Sequence, residues 1–307
     1  MAFLLPYSLH MSYSPKLCSN SACLHHRLPG GVFIKKGFFR IKRNNQNVRR
    51  FQCKACGKTL SSRSSSATYY QKKPQLNRVI FQLLCEGMPM RGIARTLRIS
   101  KNTVEAKFLW IHQHVSSLKA NAPVDIGQLY FDELETIEHT KLKPLSVLLF
   151  VDDAYRILKT QVAVAPPKGR LAKISYDKYG PRKDERDDVL RQCFTELRGL
   201  KPQEIRSDAK PSYRKFTEEF FPGIEHKVFN RSEKERHRDR LHEKYQKQVY
   251  DPMFTLNQRC AKLRANIRRL TRRSWCTTKL KENLQRHLEI YCFYNNLGER
   301  AAVASLP

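Results

Sequence analysis

The sequence is poor in acidic residues. It has 28 Asp and Glu against 58 Lys and Arg in 307 residues, which gives a formal net charge of +30. An excess of this size weakens a compact state by self-repulsion unless a polyanion neutralises it, so nucleic acid is the expected partner. Hydrophobic residues make up 40% and aromatic residues 10% of the chain, which is enough for a core and excludes wholesale disorder.

Long apolar runs and targeting signals are also missing. No apolar run reaches the roughly 18 residues that a membrane-spanning helix needs. The segment from Met1 to Leu9 lacks a basic region and a small-residue cleavage site, so we expect no signal peptide. These absences predict a cytoplasmic, nucleoid-associated protein with no membrane partner and no small-molecule substrate. In that reducing setting the nine cysteines do not predict a disulfide framework.

Four cysteines form two close pairs near the N-terminus, separated by a basic, β-prone stretch. Four thiolates from two loops, joined by a hairpin, can close a tetrahedron around a metal and hold together a segment too small to build a core. We therefore predict a zinc ribbon over residues 16–60, with structural Zn²⁺ bound by Cys18, Cys23, Cys53 and Cys56.

Alternatives to this ligand set stay open. The first pair is spaced more widely than is usual for zinc ligands, so His25 and His26 are possible substitutes. The four thiols could also be unpaired and buried, where they would behave as small hydrophobic side chains.

A helical pattern follows a serine-rich linker. Residues 77–87 and 90–99 predict two short helices, and Ser100 is a suitable N-cap for a third. The order predicts a helix-turn-helix DNA-binding domain over residues 70–120. The side chains expected to contact duplex DNA are Lys101, Asn102, Thr103 and Lys107. A plain helical hairpin is the alternative.

The rest of the chain mixes strands and helices. Three strand-like segments joined by short turns predict an antiparallel meander, and they lie at residues 127–138, 145–151 and 157–165. A helix over 183–200, a strand ending at Ile205 and a further helix follow. This order is expected of a ribonuclease-H-like α/β domain, a mixed sheet flanked by helices, which we predict over residues 125–300.

Two aspartates stand at positions that favour a function. Asp132 lies inside a strand, where aspartate is disfavoured, and Asp208 follows the strand that ends at Ile205. Functional groups converge at strand ends in α/β sheets, and carboxylates are the ligands that Mg²⁺ and Mn²⁺ prefer. The pair thus predicts a catalytic metal site for phosphoryl transfer. The alternatives are a surface-facing strand residue for Asp132 and a helix N-cap for Asp208.

Together these blocks resemble insertion-sequence transposases with a DDE-type ribonuclease-H core, especially the insertion-sequence-one type. The resemblance is carried by residues 16–118, by Phe-Asp-Glu at 131–133 with Ser-Asp-Ala-Lys-Pro-Ser-Tyr at 207–213, and by the basic segment 263–278. It implies a DNA strand transferase acting as a homo-oligomer on duplex DNA at element ends and on target DNA. It also implies that Asp132 and Asp208 are the first two catalytic aspartates.

The third catalytic acid departs from the family pattern. The family's glutamate would fall on Asn257, which is not a carboxylate, and Asp251 stands six residues earlier. We favour Asp251 as the third acid because a neutral amide is the weaker Mg²⁺ ligand. The Asp251-Pro252 pair also suits a helix start, with aspartate as the N-cap.

The basic segment after Asn257 predicts a helix with one face for the core and one for DNA. Its candidate DNA contacts are Arg264 and Arg268.

A second function belongs to a different class. The chain could be a zinc-ribbon DNA-binding regulator whose ribonuclease-H-like domain is degenerate and inactive. A nuclease acting on RNA would share the fold, but the N-terminal motifs favour duplex DNA. The discriminating feature is the third carboxylate.

Overall fold

The structure is a computed structural model, and it describes residues 14–41, 46–64, 66–118, 124–229, 251–271 and 275–307. The chain forms two compact units, one extending to Pro74 and the other spanning Gln75–Leu306. Among the described residues, no helix is long and apolar enough to cross a membrane.

The first unit is a small antiparallel sheet. Its strands are β1 (Phe33–Ile41), β2 (Gln46–Cys53) and β3 (Thr59–Ser61), in the order β1-β2-β3. The buried cluster beneath them consists of five residues: Cys18, Cys23, Phe51, Cys53 and Leu60. An apolar cluster of this size cannot stabilise a fold alone, which explains why cysteines dominate it.

The second unit begins with three helices, α1 (Asn77–Cys85), α2 (Met90–Thr96) and α3 (Lys101–Ser117). The Ser100 side chain accepts a hydrogen bond from the Thr103 backbone N–H, which confirms the predicted cap of α3. The three helices share one apolar core with the large sheet.

A mixed five-stranded sheet occupies the centre of this unit. Its strands are β4 (Asp125–Ile137), β5 (Pro144–Asp152), β6 (Ile157–Val164), β7 (Lys201–Asp208) and β8 (Glu225–Phe229). The order is β6-β5-β4-β7-β8. The first three strands form the predicted antiparallel meander, and β4, β7 and β8 run parallel.

Helices flank the sheet, as predicted for an α/β unit. They are α4 (Leu171–Tyr179), α5 (Arg186–Leu197), α6 (Pro211–Phe220), α7 (Phe254–Asn266), α8 (Lys281–Leu297) and α9 (Glu299–Ser305). One face of the sheet packs on α1–α3, α7 and α8, and the other on α5 and α6. Alternation along β4 divides its side chains between these faces, with Tyr130 and Leu134 on the first and Phe131 on the second.

The structure differs from the sequence prediction in three places. Helix α4 and strand β8 were not predicted. The basic segment is not one helix, because α7 ends at Asn266 and Arg268 begins a short 3-10 turn, Arg268–Leu270. Residues 272–274 of that segment lie outside the described part of the chain.

Candidate functional site

The four cysteines predicted as zinc ligands come together in the first unit. Their sulfur atoms all lie within 4.8 Å of one another. The Sγ atoms of Cys18 and Cys56 are 3.5 Å apart, and those of Cys23 and Cys53 are 3.9 Å apart. A tetrahedral zinc with Zn–S bonds of about 2.3 Å requires sulfur–sulfur separations of about 3.8 Å. The cluster therefore fits a zinc ion and could hold one.

Backbone N–H groups support thiolates in this cluster. The Asn20 N–H donates to Cys18 Sγ at 3.4 Å. A backbone hydrogen bond from Lys58 lowers the pKa of Cys56 to about 6. Both hydrogen bonds favour the ionised sulfur that zinc binds, but burial still raises the pKa of Cys18 to about 12, so its ionisation requires the charge of a bound metal.

The two histidines considered as substitute ligands have other positions. His26 Nδ1 lies 2.8 Å from the Cys18 carbonyl oxygen and holds the first cysteine loop in shape. The group of ligand atoms within 4.8 Å contains the four cysteines and neither histidine.

Asp132 and Asp208 lie on neighbouring parallel strands of the large sheet. Phe131 of β4 is paired with Ser207 of β7, so the residues that follow them stand side by side. By alternation Asp132 shares the face of Tyr130 and Leu134, toward α7. This pairing explains how two aspartates 76 positions apart in the sequence become neighbours.

The two carboxyl groups interact directly. Burial, followed by the charge of Asp208, raises the pKa of Asp132 to about 7. Partial burial of its carboxyl group also raises the pKa of Asp208, opposed by a backbone hydrogen bond from Lys210. By surface exposure Asp132 is half-buried and Asp208 is exposed. Adjacent carboxylates repel each other, so a neighbouring positive charge favours their ionised state.

Several residues around the pair were not predicted. Glu133 lies next to Asp132 and binds Lys210 Nζ, while its other oxygen accepts from Ser146 Oγ at 2.8 Å. The Lys210 backbone N–H donates to Asp208 Oδ1 at 3.2 Å. The Tyr213 ring is buried near the acid pair, and its hydroxyl oxygen is a buried polar atom without a hydrogen-bond partner in the structure. Lys210 and Tyr213 follow Asp208 closely in the sequence, which is the signal that could have identified them.

Helix α7 packs over the face that carries Asp132. Burial and then the negative charge of Asp132 raise the pKa of Cys260 to about 12. Asn257 precedes Cys260 by one turn, and residues three apart share a helix face. Asn257 is therefore on the same side of α7 as Cys260, and its side chain is exposed.

Asp251 lies just before α7 and is tied to that helix. Its Oδ1 accepts from the Met253 N–H at 2.9 Å, and its Oδ2 accepts from Asn257 Nδ2 at 2.8 Å. The N-cap of α7 is Met253 rather than Asp251. Among the described residues, no set of three or more Asp, Glu, His and Cys ligand atoms lies within 4.8 Å besides the four cysteines. Asp251 as the third acid stays a prediction.

The predicted DNA contacts of α3 do not share one environment. Lys101 and Asn102 are exposed, and Lys101 Nζ pairs with Glu105 at 3.3 Å. Thr103 is half-buried, and its Oγ1 lies 2.8 Å from Ser100 Oγ. The prediction that Lys107 contacts duplex DNA is wrong for this structure, because the Lys107 side chain is only 3% exposed. It falls between Val104 and Ile111 on the buried stripe of the helix, so it is not presented at the surface.

The basic residues after α7 lie near a cavity at the end of the sheet. Arg264 is half-buried, and Arg268 is exposed. A cavity of about 630 Å³ opens beside Glu133 and is lined by Lys168, Arg186 and Arg269 among others. Cationic side chains at this position can bind phosphate groups beside Glu133, the residue that follows Asp132 in the sequence.

Asp152, which also ends a strand, has a structural role. It is 0% exposed, and its two oxygens accept from the backbone N–H and the Nε of Arg156 at 2.7 and 2.6 Å. These bonds fix the turn between β5 and β6, in agreement with the turn that a strand-ending aspartate predicts.

No protein-family model matches the chain, and no curated protein matches it. Twelve chains of solved structures match. One belongs to the CryoEM structure of the simian T-cell lymphotropic virus intasome in complex with PP2A regulatory subunit B56 gamma, at 14% sequence identity and a TM-score of 0.23. The match covers 60% of this chain and 64% of that chain, less than two thirds of its length. A likeness at this TM-score carries no argument, so the thiol cluster and the acid pair are interpreted from their own geometry.

Proposed function

We propose that the protein is a transposase of an insertion sequence, a metal-dependent enzyme that cuts and joins DNA strands. The observation that carries the proposal is the juxtaposition of Asp132 and Asp208 on the parallel strands β4 and β7. Two carboxyl groups are held side by side although burial and mutual repulsion oppose their ionisation. Such an arrangement costs stability, and a bound cation offsets that cost.

The connectivity supports a ribonuclease-H-like catalytic domain. An antiparallel meander is followed by helices, a parallel strand beside β4, a further helix and the edge strand β8. Ligand sites in open α/β sheets lie at the carboxyl ends of strands, and Asp208 is the last residue of β7. Asp208 is therefore at the strand end where chemistry is expected, with Asp132 beside it in the middle of β4.

The donor set suits a hard divalent cation such as Mg²⁺ or Mn²⁺. Asp132 and Asp208 would hold it, and Asp251 or the Asn257 amide would add a ligand from the side of α7. When bound, the ion supplies positive charge for the attacking and leaving oxygens of an in-line phosphoryl displacement.

Neighbouring side chains have supporting roles in this proposal. Lys210 holds Asp208 through its backbone N–H and brings its ammonium group to Glu133. Arg186 and Lys168 line the adjoining cavity and would bind the phosphates of a DNA strand.

In the first unit Zn²⁺ on the four cysteines would have a structural role. The exposed side chains of Lys101, Asn102 and Arg268 would contribute to duplex binding.

A strand-cleavage assay tests the proposal. Wild type, Asp132→Asn and Asp208→Asn are incubated with an end-containing DNA duplex and Mg²⁺ or Mn²⁺. We expect each substitution to abolish cleavage while duplex binding survives, because only the metal-holding oxygens change. Asp125→Asn is the matched control, since Asp125 is an exposed aspartate at the start of the same strand. Retained cleavage in either aspartate variant would overturn the assignment.

One observation favours a second candidate, a DNA-binding regulator with an inactive domain. Both carboxylate oxygens of Asp251 accept hydrogen bonds within its own turn. A regulator would bind duplex DNA with the salt dependence of phosphate contacts and show no metal-dependent cleavage in the same assay.

A further inference from the structure

The N-terminal unit has a charge composition that the acid pair does not explain. The first acidic residue of the chain is Glu86, so the segment up to Pro74 has 14 Lys and Arg and no Asp or Glu. No internal ion pair can offset these charges, and they favour a polyanionic ligand.

This unit also exposes aromatic rings around a cavity. A cavity of about 360 Å³, here called the aromatic cavity, is lined by Phe39, Arg50, Arg63, Tyr69 and Tyr70 among others. The exposed fractions are 36% for Phe39, 43% for Tyr69 and 87% for Tyr70. The Tyr69 and Tyr70 ring centroids are 4.1 Å apart. Exposed rings in such a concave site are available for stacking on a ligand.

A bulge in β1 orients these rings. The β1–β2 register shifts between Lys35 and Phe38, and Gly37 within the shift has a φ of +78°. Beyond the bulge Phe38 lies opposite Arg49, whose guanidinium is 4.3 Å from the ring centroid. Phe39 is on the other face and lines the aromatic cavity. The two adjacent rings therefore have different environments.

We propose that the aromatic cavity binds an unpaired base of single-stranded DNA. In duplex DNA the faces of the bases are covered by their neighbours in the stack, so rings in a concave site can stack only on a base outside the helix. Arg50 and Arg63 line the same cavity and bind the flanking phosphates. The absence of acidic side chains in the unit lets the strand approach without repulsion.

This inference goes beyond the proposed function and does not need the acid pair. Strand-processing enzymes act on DNA whose ends unpair, so the choice of DNA over RNA rests on the proposed function. Single-stranded DNA and RNA both offer a base that can stack and phosphates that flank it, so the same contacts would recognise either.

The test is fluorescence anisotropy with the zinc-loaded full chain and no added Mg²⁺ or Mn²⁺. The probes are a labelled oligothymidine of about 16 nucleotides, a duplex of equal length and the RNA equivalent. The variants are Phe39→Leu and Tyr70→Leu, with Tyr70→Trp as the conservative replacement. Phe38→Leu is the matched control, because it removes an adjacent exposed ring on the opposite face. Zinc content measured for each variant identifies any that fail to fold.

We expect Phe39→Leu and Tyr70→Leu to weaken single-strand binding about tenfold while duplex binding changes less than about twofold, since base stacking on one ring has that effect. Tyr70→Trp and Phe38→Leu keep the wild-type affinity. Equal losses for Phe38→Leu and Phe39→Leu, or equal losses on duplex and single strand, would overturn the proposal. RNA bound far more tightly than DNA would overturn the choice of DNA. Strand cleavage is measured separately, so its failure does not affect this result.

Discussion

Asn257 Nδ2 donates a hydrogen bond to Asp251 Oδ2 at 2.8 Å. These are the two residues considered from the sequence for the position of the third acid, and the structure joins them. Both side chains lie at the surface or partly so, with Asn257 exposed and Asp251 half-buried. The two candidates therefore form one unit at the start of α7.

This hydrogen bond predicts a structural effect for Asp251→Ala. The substitution removes the acceptor for both the Met253 N–H and the Asn257 amide, and loss of such a terminal acceptor costs about 1 kcal/mol. We expect the urea midpoint to fall accordingly, and a Mn²⁺ affinity within about twofold of wild type by calorimetry would contradict Asp251 as the third acid. A loss of tenfold or more in Mn²⁺ affinity would instead identify Asp251 as the third ligand.

The zinc cluster predicts independent behaviour of the two units. Cys53→Ser removes one sulfur of the four, and the small apolar cluster around it cannot keep the first unit folded without zinc. We expect the zinc content to fall from one per chain and trypsin to cleave rapidly before Pro74.

The same variant should leave the thermal unfolding of the second unit unchanged, because that unit has its own cores. Cys193→Ser is the control, since this thiol is buried in the second unit and should not affect zinc content. Zinc retained at one per chain in Cys53→Ser would contradict the assignment.

Substitutions at two lysines of α3 should differ in their effect on DNA binding. Lys101 is exposed at the start of the helix, and Lys107 is buried. We expect Lys101→Ala to weaken duplex binding and reduce the salt slope by about one. Lys107→Met should leave both unchanged, because the buried ammonium group does not reach a phosphate. The check is a salt titration of duplex affinity. A reduced salt slope for Lys107→Met would show that the Lys107 ammonium group contacts a phosphate and would contradict its buried position.

His287 predicts how stability changes with pH. It is 3% exposed in the core, its Nε2 lies 3.1 Å from the Leu84 carbonyl oxygen, and Phe108 and Arg269 face it. Burial, followed by the charge of Arg269, lowers the pKa of His287 to about 4, from an ordinary value of 6.5. As the pH falls below about 6.5, the unfolded chain takes up this proton before the folded chain does.

The free energy of unfolding should therefore fall by up to about 3 kcal/mol between pH 6.5 and pH 4. His287→Gln keeps a donor for Leu84 and removes this part of the pH dependence. Urea unfolding at pH 6.5 and at pH 4 measures this fall in the free energy of unfolding. A fall in His287→Gln equal to that of the wild type would assign the effect to other groups.

The parts of the fold that sequence patterns predicted are those with local signals. The cap at Ser100, the alternation in β4–β6 and the close cysteine pairs each depend on residues near one another in the chain. Helix α4 was missed because Ser175 is its only buried residue, so it has no apolar stripe facing a core, and β8 was missed because it is five residues long with one apolar pair. Lys107 was misplaced because a basic side chain on an apolar stripe has no sequence signal that distinguishes it from a surface lysine.

The candidate site was predictable only in part for the same reason. Asp132 and Asp208 were identified by their strand context, but their pairing depends on a register between β4 and β7 that local patterns do not specify. The contacts of Glu133 with Lys210 and Ser146 cross between elements and follow from that register. The link between Asp251 and Asn257 arises from the turn before α7, which Pro252 alone does not determine.

The most direct test of the acid pair is a Mn²⁺ titration of the full zinc-loaded chain by isothermal calorimetry, without DNA. Wild type, Asp132→Asn, Asp208→Asn and the control Asp125→Asn are compared at pH 7.5. We predict binding by the wild type and by Asp125→Asn, and a loss of at least tenfold in affinity for Asp132→Asn and for Asp208→Asn. Mn²⁺ binding that is unchanged in both of these variants would contradict the metal site and with it the proposed strand transferase.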